Sequence, residues 1–243
     1  MWLPLVLAVQ LSLPGCADNV CLKKRSDGWL WLTSRASETR TAVVNLPPRC
    51  ATRREAPPLI PVSPGDEVRI ANLNRNCSEA TLHHNRGVPI DQVQDVVYQT
   101  PIARGYRYEI TQGSGRRTSH ARWEANATDF AARIGTPIVA ARGGTVIELR
   151  QDSTTNCRRK TRACFDLANI LVIEHEDGSV AYYVHLAPGS VRVGIGDRVR
   201  TGEIIASVGS TGFTTGPHLH FDVVALGPRL ERVSLPVEFD AAR

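Results

Sequence analysis

No run of about 20 apolar residues occurs in the 243-residue chain, so no segment reads as a transmembrane helix. Gly-Lys-Ser and Gly-Lys-Thr are both absent, which removes a phosphate-cradling nucleotide loop. The absence of Gly-x-Ser-x-Gly removes the strand-to-helix elbow of a serine hydrolase. Six cysteines never fall as Cys-x-x-Cys, so neither a thiolate zinc site nor a dithiol redox motif is expected. His-Glu-x-x-His is missing as well, and with it a helix-borne zinc pair with a glutamate base. The net charge is +5, but the basic residues are scattered and lack interleaved aromatics, which argues against nucleic acid as a partner.

What is present favours strands. Nineteen Gly and fifteen Pro supply turns, and Val, Ile and Thr crowd the second half, a mixture that predicts a mainly β protein. Trp29-Leu30-Trp31-Leu32-Thr33, Thr41 to Leu46 and Glu67 to Leu73 read as three strands separated by proline-rich turns. They predict a small N-terminal β domain over residues 18–100, with Cys21 and Cys50 able to join its early strands. His83 and His84 are adjacent, so they face opposite ways on a strand, and a solvated surface is expected for them. Beyond residue 100, Gly135 to Leu149 reads as two strands around a Gly143-Gly144 turn. Ile170 to His175 and Val180 to His185 flank Asp177-Gly178 as a hairpin. A second domain is expected over 101–230, followed by a tail, 231–243.

Residues 1–17 have export chemistry. Met1 to Leu13 is almost wholly apolar but short, and Gly15-Cys16-Ala17 offers a small-x-small cleavage site. Leu13-Pro14-Gly15-Cys16 also resembles a bacterial lipoprotein box, so attachment to a membrane through a lipidated Cys16 is one form of the expectation. The chain is therefore read as exported: periplasmic, an outer-membrane lipoprotein, or secreted. An oxidising compartment makes the thiols structural. Cys157 and Cys164 bracket Arg158-Arg159-Lys160-Thr161-Arg162 and would staple that basic loop.

Chemistry gathers in the second half. His218 and His220 lie two apart on an expected strand and so share a face, with Leu219, Phe221 and Val223 on the other. His120, Asp129 and His185 extend the set to four imidazoles and one carboxylate. Those ligand types suit Zn²⁺, which at a catalytic centre takes three protein ligands and leaves two histidines for proton handling. His175, beside the hairpin turn, is read as structural. Gly209, Gly212 and Gly216 are read as turn glycines that let the backbone pass close to a groove.

Six ordered segments carry a resemblance: Thr118-Ser119-His120; Thr128-Asp129-Phe130-Ala131-Ala132; Gly135 to Gly144; Ile173 to Gly178; Tyr183-Val184-His185-Leu186; and Gly209 to Phe221. With them the region 101–226 resembles the lysostaphin-type, or LytM-like, zinc endopeptidases that cut peptide cross-links in bacterial cell walls. The resemblance implies an antiparallel β-sheet peptidase domain. It implies metal ligation by His120, Asp129 and His220, catalysis by His185 and His218, and peptidoglycan stem peptides or cross-links as substrate. It leaves open which of His185 and His218 is the general base. One departure is evident: in many relatives the first ligand stands four residues before the Asp, and that position here is Ala125. The insertion 121–128 also lacks the Tyr that such relatives often show. These departures frame the alternative, a catalytically inactive LytM-like module that binds and activates another wall hydrolase. Retention of all five residues favours the enzyme.

Overall fold

The computed structural model describes residues 9–54, 58–113, 124–159 and 161–240. The chain forms two compact units, one of Trp2–Gln92 with Leu226–Arg232, the other of Val93–Ala225 with Val233–Arg243. The division falls at Gln92/Val93 rather than near 100, because Tyr98 and Ile102 are already buried in the core of the second unit. No helix among the described residues is long and apolar enough to cross a membrane.

Among the described residues nine strands build the first unit: β1 (Val9–Ser12), β2 (Gly15–Ala17), β3 (Val20–Lys24), β4 (Trp29–Ser34), β5 (Arg40–Asn45), β6 (Ala51–Arg54), β7 (Ile60–Val62), β8 (Glu67–Leu73) and β9 (Glu79–Arg86). They form two sheets, ordered β1-β9-β5-β7 and β2-β3-β4-β8-β6. Three strands were expected at the positions of β4, β5 and β8, and the shorter ones fill in around them. Alternation along β4 buries Leu30 and Leu32 in an aliphatic core, with Leu22, Ile70 and Leu82, and turns Trp29 and Trp31 to the other face. There Arg69 lies 4.4 Å above the Trp29 ring and Arg25 4.0 Å above Trp31, as cation–π pairs. His83 and His84 are half-buried on β9 rather than solvated, and desolvation lowers the pKa of His84.

The expected Cys21–Cys50 bridge is not made. Cys21 joins Cys16, which the β2–β3 register places directly opposite it, and Cys50 joins Cys77. The segment read as an export signal is described only from residue 9 onward, and there it forms β1, paired with β9, and β2. A Cys16 sulfur bonded to Cys21 cannot also carry a lipid, so bridging and lipidation of that residue exclude each other.

Among the described residues fourteen further strands follow: β10 (Val97–Tyr98), β11 (Glu109–Gln112), β12 (Thr128–Ala131), β13 (Pro137–Val139), β14 (Gly144–Arg150), β15 (Asn156–Cys157), β16 (Ile170–Glu174), β17 (Val180–Val184), β18 (Arg198–Val199), β19 (Ile204–Ser207), β20 (Gly212–Phe213), β21 (His218–Leu226), β22 (Arg232–Ser234) and β23 (Glu238–Phe239). The main sheet runs β11-β12-β21-β17-β16-β14-β18, with β22 added on β21. Mainly β architecture with an antiparallel sheet in the second unit is thus the fold. The Asp177-Gly178 hairpin joins β16 and β17 as expected, with Gly178 at a φ of 77°.

The Gly143-Gly144 turn is a correction. β13 pairs with β19, and β14 with β16 and β18, so the two strands around the glycines do not pair with each other. Gly144 is there for close approach: a Cβ on it would stand 2.2 Å from the Glu174 carbonyl oxygen. Phe130, Leu171, Tyr183, Leu219, Phe221 and Val223 fill the core. The buried Tyr183 hydroxyl accepts from the Ala141 N–H at 2.8 Å.

Candidate active site

Register assembles the site. Alternation on β21 sends Leu219, Phe221 and Val223 into the core and leaves His218 and His220 on the opposite face. β12 lies antiparallel beside β21 with Asp129 directly opposite His220. Facing side chains on neighbouring strands meet closely, and the Asp129 Oδ1 stands 2.8 Å from His220 Nδ1. The same oxygen is 3.8 Å from His218 Nε2. On the other side of β21, Val184 of β17 pairs with His220, which brings the next residue, His185, alongside. Its ring centroid lies 4.7 Å from that of His218 and 6.1 Å from that of His220.

His185 has a φ of 67°, a left-handed conformation that costs a non-glycine residue about 1–3 kcal/mol and persists where its surroundings enforce it. Its ring is tied down as well: His185 Nδ1 lies 2.7 Å from the Thr211 carbonyl oxygen. A carbonyl only accepts, so Nδ1 carries the proton and Nε2 the lone pair. His218 is set the same way, its Nδ1 2.9 Å from the Gly216 carbonyl and 3.1 Å from Thr214 Oγ1. Both imidazoles are therefore held in the tautomer that presents a basic Nε2.

Electrostatics separate His185 from His220. Burial, reinforced by the positive fields of His218 and His220, pushes the pKa of His185 down to about 3, so it is neutral at physiological pH. Burial also opposes a charge on His220, but the hydrogen bond and negative charge of Asp129 outweigh it and raise its pKa to about 9.

Four of the five residues singled out in the sequence thus converge: Asp129, His185, His218 and His220. His120 lies outside the described residues. Among the described residues no set of three His, Cys, Asp or Glu side chains is arranged to hold a metal. The Asp129–His220 pair nonetheless fits such an ion in donor chemistry, since a carboxylate oxygen and an imidazole nitrogen face each other. His175 lies elsewhere, buried, its Nδ1 2.9 Å from the Gly143 carbonyl and its ring edge-on to Tyr98, as a structural residue would be.

Three residues that hold the histidines escaped the sequence reading: Thr211, Thr214 and Asn169. Thr211 Oγ1 accepts from the Asn169 backbone N–H and donates to the Leu186 carbonyl, next to His185. Asn169 Nδ2 donates to Leu186 and Ser153 carbonyls. The segment Ser210 to Gly216 drew attention for its glycines, whereas its hydroxyls and carbonyls orient the rings.

Comparison with known proteins places this geometry. Residues 124–231 match the family model described as Peptidase family M23. Peptidoglycan DD-endopeptidase ShyB of Vibrio cholerae is 35% identical over 133 residues, covering 51% of this chain and 26% of that protein. DD-carboxypeptidase/endopeptidase Mpg of Neisseria meningitidis is 36% identical over 107 residues, 44% of this chain and 21% of its own length. Glycyl-glycine endopeptidase ALE-1 of Staphylococcus capitis is 37% identical over 93 residues, 38% of this chain and 22% of its own length. The chain spans about a quarter of the length of each of these relatives.

Proposed function

We propose that the domain over residues 124–231, which matches the model of Peptidase family M23, makes the chain a zinc-dependent endopeptidase that hydrolyses peptide bonds in peptidoglycan stem peptides or cross-links. The observation that carries the reading is the convergence of an Asp129–His220 donor pair at 2.8 Å with two imidazoles tied through Nδ1 to carbonyls. Asp129, His220 and His120 would hold the zinc. When bound, the ion supplies Lewis acidity to the scissile carbonyl and to the attacking water.

The chain's own residues do the rest. His185, whose Nδ1 contact with Thr211 leaves the Nε2 lone pair free, would take a proton from water and return it to the leaving amine. His218, steadied by Gly216 and Thr214, is the second proton-handling ring, and in its protonated form would donate to the developing oxyanion. The roles of His185 and His218 exchange without altering the chemistry, and single-turnover pH profiles of the two alanine variants would assign them.

Three disulfides support an oxidising compartment and thus a periplasmic or secreted protein; the alternative of an outer-membrane lipoprotein requires Cys16 without its bond to Cys21. Metal analysis joined to muropeptide digestion tests the whole reading. One zinc per chain with chelator-sensitive cleavage of the peptide is the expected result. Absence of both, with binding to a wall amidase, would replace it by the activator alternative.

A further inference from the structure

Between β14 and β16 the chain leaves the main sheet and returns through a loop closed by the Cys157–Cys164 disulfide. The six residues inside the bridge, Arg158 to Ala163, include four basic side chains and no acidic one. Arg158, Arg159 and Arg162 are exposed. Among the described residues Arg162 meets a carboxylate nearby, Asp166 at 3.8 Å, one turn along the short helix α1 (Arg162–Asp166) and itself exposed. A protein does not need a disulfide to keep arginines in water, and like charges confined to six residues repel one another. The arrangement calls for an anion.

Its position says which anion. β15, which ends in Cys157, pairs with β20, and the register sets Cys157 opposite Phe213. Phe213 stands between the two groups that hold the catalytic rings: Thr211, whose carbonyl faces His185, and Thr214, whose hydroxyl faces His218. The loop is therefore one strand spacing, about 4.8 Å, from the segment that orients both imidazoles. Several contacts hold it there. Phe165 packs on Phe213 with centroids 5.2 Å apart, and Asn156 Nδ2 donates to the Ser210 carbonyl and hydroxyl. At the loop's return, a Cβ on Gly212 would lie 2.6 Å from Ala168, so only glycine permits this approach.

We propose that the disulfide-closed loop Cys157–Cys164 forms one wall of the substrate cleft, and that Arg158, Arg159 and Arg162 select peptides bearing free carboxylates beside the scissile bond. This deepens the peptidase reading and rests on it. The cations act over a Debye length of about 8 Å at physiological salt, so in this proposal they draw substrate carboxylates that come within that range of the loop and do not touch the reacting atoms. They are specificity residues, and their effect falls on KM more than on kcat.

The test uses the full chain, a cross-linked peptide with free carboxylates and the same peptide amidated. The ratio of kcat/KM for the two is compared among wild type, the neutral variant R158Q/R159Q/R162Q and the reversed variant R158E/R159E/R162E. Wild type is expected to favour the free acid about tenfold at low salt, the neutral variant to bring the ratio to about one, and the reversed variant to invert it. Raising salt to about 0.5 M should compress the wild-type ratio. An unchanged ratio in both variants, with cleavage retained, overturns the proposal and leaves the peptidase reading standing. If wild type cleaves neither peptide, that reading falls. Fluorescence anisotropy of both peptides with wild type and the neutral variant then decides the loop's role: equal affinities overturn it, and a preference for the free acid lost in the variant upholds it.

Discussion

The two units treat buried charge differently. In the N-terminal unit the carboxylate of Glu38 is 4% exposed and meets two arginines, Arg40 and Arg86, so the charge enters the interior already matched. The C-terminal unit matches charges too, Asp177 with Arg142 and Asp129 with His220, but it also buries His175 and His185 without any carboxylate in hydrogen-bond contact, and both are held neutral by depressed pKa values. Cores differ in parallel. The first is aliphatic and keeps Trp29 and Trp31 outside, under arginines, while the second packs Tyr98, Phe130, Tyr183 and Phe221 together. Charge follows suit: the first unit holds 13 Lys and Arg against 9 Asp and Glu, the second 16 against 15. A unit that matches its buried charges is built for stability. Perturbed titratable groups buried beside each other, as His185 and His220 are, mark a candidate functional site.

The sharpest break of that contrast is at Asp129. Asp129→Ala removes the carboxylate opposite His220, and with it a proposed metal donor and the anion that raises the His220 pKa. Peptide turnover should fall about a thousandfold, corresponding to about 4 kcal/mol of barrier. Bound zinc should be lost in the same preparation, with amide exchange across residues 9–92 unaltered. Turnover within tenfold of wild type would show that Asp129 is not part of the catalytic centre.

Glu38→Ala breaks the contrast from the other side. It strips the carboxylate facing Arg40 and Arg86 and should destabilise the N-terminal unit by about 3 kcal/mol, as loss of one partner of a buried pair does. Urea unfolding followed by Trp29 and Trp31 emission reads the change directly. A loss under 1 kcal/mol would mean that the pair is solvated in practice and that the first unit has no special claim to matched burial.

How far the sequence announces these features depends on the range over which each is encoded. The Asp177-Gly178 hairpin and the shared face of His218 and His220 are local, set by turn chemistry and a period of two, and both stand in the structure. The Asp129–His220 contact spans 91 residues, and only the β12–β21 register creates it; the family resemblance had pointed to both residues. Gly143-Gly144 misled because a turn and a close backbone approach demand the same residue, and only the neighbouring Glu174 carbonyl tells them apart. The Cys21 partner was misjudged for a similar reason, since β2 lies in a segment read as an export signal. Thr211, Thr214 and Asn169 have no signature of their own; their value lies in which carbonyl or hydroxyl meets which ring.

The smallest effect concerns pH, and it isolates burial from catalysis because His175 takes no part in the site. Its Nδ1 donates to the Gly143 carbonyl, its Nε2 is buried without a partner, and burial pushes its pKa down to about 4. The unfolded chain holds this group at about 6.5 and so binds the proton more readily than the folded one. Below pH 6.5 the unfolded state takes up the larger number of protons, so stability falls as pH falls, until the folded group itself titrates near pH 4. Between pH 7 and pH 5 the loss from this residue should be about 2 kcal/mol. Asp177 adds to it with the same sign at lower pH, since hydrogen bonds from Arg142 and Ser179 outweigh its burial and depress its pKa. Urea titrations of wild type and His175→Gln at pH 7 and pH 5 separate the two, because Gln keeps a donor for Gly143 and cannot titrate. The variant should lose most of the difference between the two pH values. If its stability falls with pH as steeply as that of wild type, the buried imidazole is not what makes this unit acid-sensitive, and the contrast between matched and unmatched burial would rest on the active-site histidines alone.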